Sequence, residues 1–310
     1  MRFGFGPALF VLAGSAGTAL LAQGQVLRDP HLYRSGVELT SINVTVRDAD
    51  GRLVSGLARE SFEVFEDGEP QTITQFTSER VPVSLGVLLD TSDSMFGRRL
   101  EDARTAVERF LFDLLDADDE YFVMTFNHRP HLLTSWTSTP DTVRKVLRGV
   151  KPIGATAAYD AVLASLPMFA KRSRERGALV VISDGADTAS DASLRDLHSA
   201  LARYDVFVYA IAIDSPTSQA INTRVNPTSL REITDDSGGR TEIVRTSEEL
   251  ADATAGIADE LNHQYLLAYS SSRTSDGLYH SLRVRVRGAD YKVRARNGFV
   301  ATPPRRAPNP

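Results

Sequence analysis

The chain has 310 residues, 42% apolar and 24% charged, the make-up of an ordinary globular protein with ample length for a core, which excludes wholesale disorder or a membrane-embedded body. A formal net charge of -5 argues against a whole-protein nucleic-acid binder. The absence of cysteine excludes disulfide scaffolds, zinc ribbons, thiol catalysis and a lipobox.

Arg2 precedes a glycine-containing apolar run over residues 3–21, followed by Ala22 and the polar Gln23-Gly24-Gln25. That is the layout of a secretory signal peptide over residues 1–22, and it predicts export to the periplasm or the exterior. The alternative is an uncleaved N-terminal membrane anchor, which Gly4, Gly6, Pro7, Gly14 and Gly17 weaken as a helix.

Residues 36–80 read as short strands. Ile42, Val44 and Val46 alternate with Asn43, Thr45 and Arg47 before a turn at Asp48-Ala49-Asp50-Gly51, and a second turn falls at Glu66-Asp67-Gly68. Forty-odd residues bury little core alone, so this segment must dock on something else.

Over residues 82–262 apolar strands alternate with amphipathic helices. The strand at Val83 to Leu89 leads into a helix whose stripe is Leu100, Ala103, Val107, Phe110, Leu111 and Leu114. Further strands are predicted at 121–126, 178–182 and 206–213, and helices at 141–148, 157–170, 194–204, 230–235 and 248–261. The fold class is α/β: a doubly wound, mostly parallel, Rossmann-like sheet. Residues 263–301 return to strands, at 265–270, 281–287 and 291–296. A disordered tail is expected over residues 302–310.

Loops at the carboxyl ends of parallel strands share one crevice, where ligands bind. The strand run Val87-Leu88-Leu89 ends in Asp90-Thr91-Ser92-Asp93-Ser94-Met95, and Val180-Val181-Ile182 ends in Ser183-Asp184-Gly185. Gly154-Ala155-Thr156 stands immediately before a helix. Carboxylates and hydroxyls without His or Cys are hard donors that suit Mg2+ first, with Mn2+ or Ca2+ as alternatives. Positions 90, 92 and 94 point one way if the loop is extended.

Asp90-x-Ser92-x-Ser94, Thr156 and Asp184 resemble the metal-ion-dependent adhesion site of von Willebrand factor type A domains. The wider chain resembles the secreted bacterial VWFA-related proteins, through Phe65-Glu66-Asp67-Gly68, Ala157-Ala158-Tyr159-Asp160-Ala161 and Gln264-Tyr265-Leu266-Leu267-Ala268-Tyr269. The resemblance implies that Ser92, Ser94 and Thr156 bind metal directly, that Asp90 and Asp184 bind directly or through water, and that a partner's Glu or Asp completes the shell. It also implies a binding and adhesion module rather than an enzyme. Asp93 and Ala155 stand where the family commonly has glycine, and Asp93 is expected to turn outward.

Each loop taken alone has a plainer reading, as an Asx turn or a cap on the next helix, Thr156 above all. A scaffold with an unused metal site is therefore one alternative function. A metal-dependent hydrolase is another, although no Gly-rich phosphate loop, G-x-S-x-G elbow or evident general-base His accompanies Asp90. His128 and His131 read as edge or loop residues, Trp136 as packing, and Asp48-x-Asp50-Gly51 as a hairpin turn rather than a calcium loop.

The two flanking β segments should form one sandwich-like module. Pairing Leu282, Val284 and Val286 with Ala295, Val293 and Tyr291 would give a hairpin with Gly288-Ala289 at its turn and would gather Arg283, Arg285, Lys292 and Arg294 on one face. Directly opposed like charges call for an anion over them. Glu60, Glu63, Glu66, Asp67 and Glu69 are the internal candidates, and an acidic envelope polymer is the external one.

Overall fold

The computed structural model describes residues 39–184, 187–214, 227–271 and 276–301. The expected signal peptide and the expected tail lie outside the described residues, and among those described no helix is long and apolar enough to cross a membrane.

The opening segment folds as strands β1 (Leu39–Arg47), β2 (Phe62–Glu66), β3 (Glu69–Gln71) and β4 (Ile73–Thr77). The turn after β1 closes as a hairpin, with Asp48 N donating to Arg52 O at 2.9 Å and Gly51 N to Asp48 O at 3.0 Å.

The middle of the chain runs β5 (Val83–Asp90), α1 (Arg98–Arg109), β6 (Glu120–Phe126), β7 (Pro130–Thr137), α2 (Pro140–Leu147), α3 (Ala158–Ser165), β8 (Arg176–Ser183), α4 (Leu194–Leu201), β9 (Phe207–Ile213), α5 (Pro227–Thr234), β10 (Thr241–Val244) and α6 (Ser247–Asn262). These strands form one sheet in the order β10-β9-β8-β5-β6-β7, parallel except for the antiparallel edge strand β7. Strands β5, β8 and β9 are buried along their whole length, as expected of strands covered by helices on both faces. Gly86, at the middle of β5, leaves room for the Phe122 ring: a Cβ there would lie 2.5 Å from Phe122 Cζ. Trp136 packs edge-on against Phe122 and Phe169, with ring centroids 4.8 and 5.5 Å away. The strands β7 and β10 were not anticipated, because each is short or sits at an edge and carries no continuous apolar run.

The chain closes with β11 (Tyr265–Ser270), β12 (Tyr279–Val286), β13 (Lys292–Arg294) and β14 (Gly298–Val300). Two four-stranded sheets result, β13-β1-β11-β4 and β14-β12-β2-β3. Both ends of the chain contribute to each sheet, and a single apolar core lies between them, including Ile42, Val44, Phe62, Val64, Tyr265, Leu267, Leu282 and Phe299. Register agrees with burial: Ile42 faces Leu267 and Val44 faces Tyr265 across the β1–β11 pair.

The expected hairpin between the last long strands does not form. Strand β12 pairs with β2, while β13 crosses to the other sheet and pairs with β1, Val293 opposite Val46. Alternation fixes which side chains face a core, but both sheets of a sandwich face the same core, so the pattern is equally satisfied by crossing over. Arg283 and Arg285 therefore stand opposite Phe65 and Glu63 rather than Arg294 and Lys292. The four-residue basic face is thereby divided between two sheets. Arg285 lies over the Phe65 ring at 5.2 Å, Arg294 pairs with Glu260, and Glu63 takes Arg287 at 2.9 Å.

The sandwich meets the α/β sheet at the amino ends of its strands. Arg176, the first residue of β8, donates to Val81 O at 2.9 Å and to Gln264, and Ser41 Oγ donates to Asp205 Oδ2 at 2.9 Å just before β9. The opposite, carboxyl ends are where Asp90 closes β5 and Ser183 closes β8.

Candidate functional site

Strand order reverses between β5 and β8, because β6 continues on one side of β5 and β8 on the other. The carboxyl ends of β5 and β8 thus flank the crevice of the doubly wound sheet. Asp90 closes β5 there, fully buried. Its Oδ1 accepts from Ser92 N at 2.8 Å and its Oδ2 from Ser183 Oγ at 2.5 Å, so one carboxylate ties the two strand ends together. Thr91 anchors the same loop to β6 by donating from N and Oγ1 to Phe126 O at 2.7 and 3.0 Å.

The loop is extended only as far as Ser92, whose ψ is 168°, and Asp93–Met95 then form a single 3-10 turn. That turn, rather than the fully extended loop expected, brings Ser94 Oγ within 2.9 Å of Ser92 Oγ. Asp93 is exposed, as expected of a residue turned away from the crevice.

The Thr156 loop is bonded directly to the Asp90 loop. Asp93 N donates to Gly154 O and Ile153 N to Thr91 O, each at 2.8 Å. Gly154 has φ +83°, a left-handed conformation that glycine adopts without a Cβ penalty. Thr156 is buried and does not cap α3. That cap comes from Asp187, whose Oδ1 accepts from Ala158 N at 2.8 Å and Tyr159 N at 3.4 Å. Thr188 N and Ala189 N donate to Thr156 O at 2.8 and 2.9 Å, which joins this loop to the one after β8. Asp187 and Thr188 were missed in the sequence because a cap supplied by another loop leaves no local spacing to read.

Asp184 is buried beside this group, and Gly185 lies outside the described residues. Arg99, buried near the start of α1, donates from Nη1 to Ser94 O at 2.9 Å and to Asp184 Oδ2 at 3.2 Å. It too was missed, as one arginine within a polar helix start. The five sequence-identified residues thus stand on three loops cross-bonded at one end of the sheet. Burial pushes Asp90 up to about 6, against the hydrogen bonds from Ser183 and Ser92 that lower it, and nearby Asp184 raises it further. A carboxylate so placed is stabilised in its charged form by a cation, and the surrounding oxygen donors suit a hard divalent ion.

A second cluster lies in the sandwich. Glu66, Asp67 and His280 each offer a ligand atom, all within 4.8 Å of one another, so the group could hold a divalent cation. His280 lies more than 200 residues from Glu66 and Asp67 in sequence, and the β2–β12 pairing that unites them was not legible there. His128 and His131 are exposed, at the loop and edge positions expected of them. A cavity of about 470 Å³ opens between α4 and the β12–β14 edge, lined by Tyr204, Tyr279 and Arg296 among others and by none of the five crevice residues.

Residues 85–186 match the family profile of the von Willebrand factor type A domain. Among curated proteins, human inter-alpha-trypsin inhibitor heavy chain H4 is 20% identical over 234 residues, 69% of this chain and 24% of that protein. The chain therefore spans about a quarter of the length of this relative. Among solved structures, a von Willebrand factor type A protein from Catenulispora acidiphila superposes with a TM-score of 0.52 at 12% identity, covering 87% of this chain and 76% of that one. An aerotolerance-related membrane protein from Bacteroides fragilis gives 0.50 at 21% identity, over 58% of this chain and 98% of that one. At these identities the likeness is one of fold.

Proposed function

We propose that this chain, which carries a von Willebrand factor type A domain, is an exported, non-enzymatic binding module that captures an acidic group of a partner through a divalent metal. Asp90, Ser92, Ser94, Thr156 and Asp184 would hold the ion, Mg2+ first and Mn2+ or Ca2+ as alternatives. The ion, when bound, supplies an open position for a carboxylate from the partner. The observation that supports this reading is the cross-bonding of the three loops: Asp90 accepts from Ser92 N, Ser92 Oγ lies 2.9 Å from Ser94 Oγ, Arg99 bridges Ser94 and Asp184, and the backbone of the Thr156 loop is bonded to that of the Asp90 loop.

The chain's own residues prepare the crevice. Ser183 and the Ser92 amide fix the Asp90 carboxylate, Arg99 fixes Asp184, and Asp187 caps α3 so that the Thr156 hydroxyl is not needed there. Arg99 also favours a second reading, the scaffold with an unused metal site, because its guanidinium already balances the charge of Asp184.

Metal titration separates the two. A ligand that binds only the folded state raises the melting temperature by mass action, so Mg2+ or Mn2+ should raise it and Asp90→Ala should abolish the rise. An equal metal response in that variant would refute the site. A partner drawn from the producing cell's envelope or medium should be released by chelator, and retention in excess chelator would favour the scaffold.

A further inference from the structure

The turn that follows β2 lies directly against β12. Asp67 N donates to Ser281 O at 2.9 Å, and Asp67 Oδ1 accepts from Ser281 N at 2.9 Å. This fixes the Asp67 carboxylate against His280, whose Nδ1 is 2.8 Å from Asp67 Oδ2 and 3.8 Å from Glu66 Oε1. Ligand atoms placed ~2.0–2.1 Å from a common ion are ~2.9–3.4 Å apart at octahedral to tetrahedral angles, so these separations need only small adjustments to receive one. On the other side of the imidazole, Nε2 is 3.1 Å from Asp276 Oδ1. With an ion bound, the Asp276 carboxylate behind the ring would hold the Nε2 proton and leave Nδ1 a lone pair for the metal, in place of the proton that Nδ1 shares with Asp67 in the metal-free cluster.

Two further features point to a ligand. Glu66 is only 3% exposed: its Oε1 accepts from Ser271 Oγ at 2.8 Å, its only other neutralising neighbours among the described residues are His280 and the buried hydroxyl of Tyr269, whose pKa burial and then the Glu66 charge raise, and no arginine or lysine pairs with it among those residues. A buried carboxylate is costly to keep charged, and a cation at the cluster would offset that cost. Access also exists: the Asp67 side chain is 27% exposed while Glu66 and His280 are nearly sealed, so the cluster opens on the Asp67 side.

We infer that Glu66, Asp67 and His280 form a second metal site, independent of the crevice in the α/β domain, that takes a zinc-like divalent ion with Asp276 as its positioning residue. One imidazole nitrogen with two carboxylates is a borderline donor set, which suits Zn2+ better than the all-oxygen set at Asp90 does. Held there, the ion would join the β2 turn to β12 and so fasten the opening segment of the chain to the closing one. The hydrogen-bonded cluster without metal, a protonated His280 between Asp67 and Asp276, is the competing state, and the pKa of His280 is indeed raised: burial lowers it but both aspartates outweigh that.

The test uses the full chain carrying Asp90→Ala, so that the first site cannot contribute. Isothermal titration with Zn2+ in millimolar Mg2+ should give one saturable site with a rise in melting temperature. His280→Gln should remove the site, and Asp276→Asn, which leaves every proposed ligand in place, should weaken zinc ~10–100-fold. The inference is overturned by absence of saturable zinc binding, or by zinc affinity unchanged in both variants. Should His280→Gln fail to fold, the Asp276→Asn affinity alone decides in the same two directions.

Discussion

Arg47, in the first strand of the sandwich, donates from Nη2 to Glu260 Oε2 at 2.9 Å, across 213 residues of sequence and between two structural layers. Glu260 is fully buried in α6 and also accepts from Tyr209 at 2.9 Å, Arg240 at 3.1 Å, Thr45 at 3.3 Å and Arg294. Arg47, Arg294, Arg240 and Tyr209 around one carboxylate thereby tie β1 and β13 of the sandwich to β9 and α6 of the α/β domain.

Removing the shared acceptor leaves several buried donors unsatisfied together. Glu260→Ala should therefore destabilise the protein by about 3–5 kcal/mol in urea unfolding, the range for breaking one side of a buried ion pair. Glu260→Gln keeps an acceptor oxygen and should cost less. Loss of under ~1 kcal/mol in the alanine variant would show that the network is not a principal junction.

The same residue predicts an acid limb. Burial alone would raise the Glu260 pKa, but Arg294, then Arg47 and Arg240, outweigh it and hold the carboxyl below its usual 4.5. A group whose folded pKa is depressed contributes stability above its unfolded value and loses it as pH falls through the folded one. Unfolding free energies measured from pH 7 down to pH 3 should fall below ~4.5 more steeply in the native protein than in Glu260→Gln. Parallel acid limbs would remove Glu260 as the cause.

Asp187 gives a prediction at the crevice. Because it caps α3 from the loop after β8, Asp187→Ala should cost about 1 kcal/mol of stability in chemical denaturation. The Thr156 loop would lose part of its anchoring, so the Mg2+- or Mn2+-induced rise in melting temperature should shrink without vanishing. A full metal response in a destabilised variant would separate the cap from the site.

Much of the fold was legible because its signals are local. Continuous apolar runs gave β5, β8 and β9, helical spacing gave α1 and α6, and alternation with a turn gave β1. The crevice residues were legible because loops at the carboxyl ends of parallel strands must share one end of the sheet, so three short motifs sufficed to bring Asp90, Ser92, Ser94, Thr156 and Asp184 into one region. Tertiary structure alone decided what depends on the choice of neighbour. Alternation over residues 281–296 fixed which side chains turn to the core but not whether β13 stays beside β12 or crosses to β1, and that choice divided the expected basic face and put Arg294 on Glu260. It equally placed His280 against Asp67, and Arg99 against Asp184. Such contacts lie between residues far apart in sequence, and their free energy comes from shared burial and charge that no single segment contains.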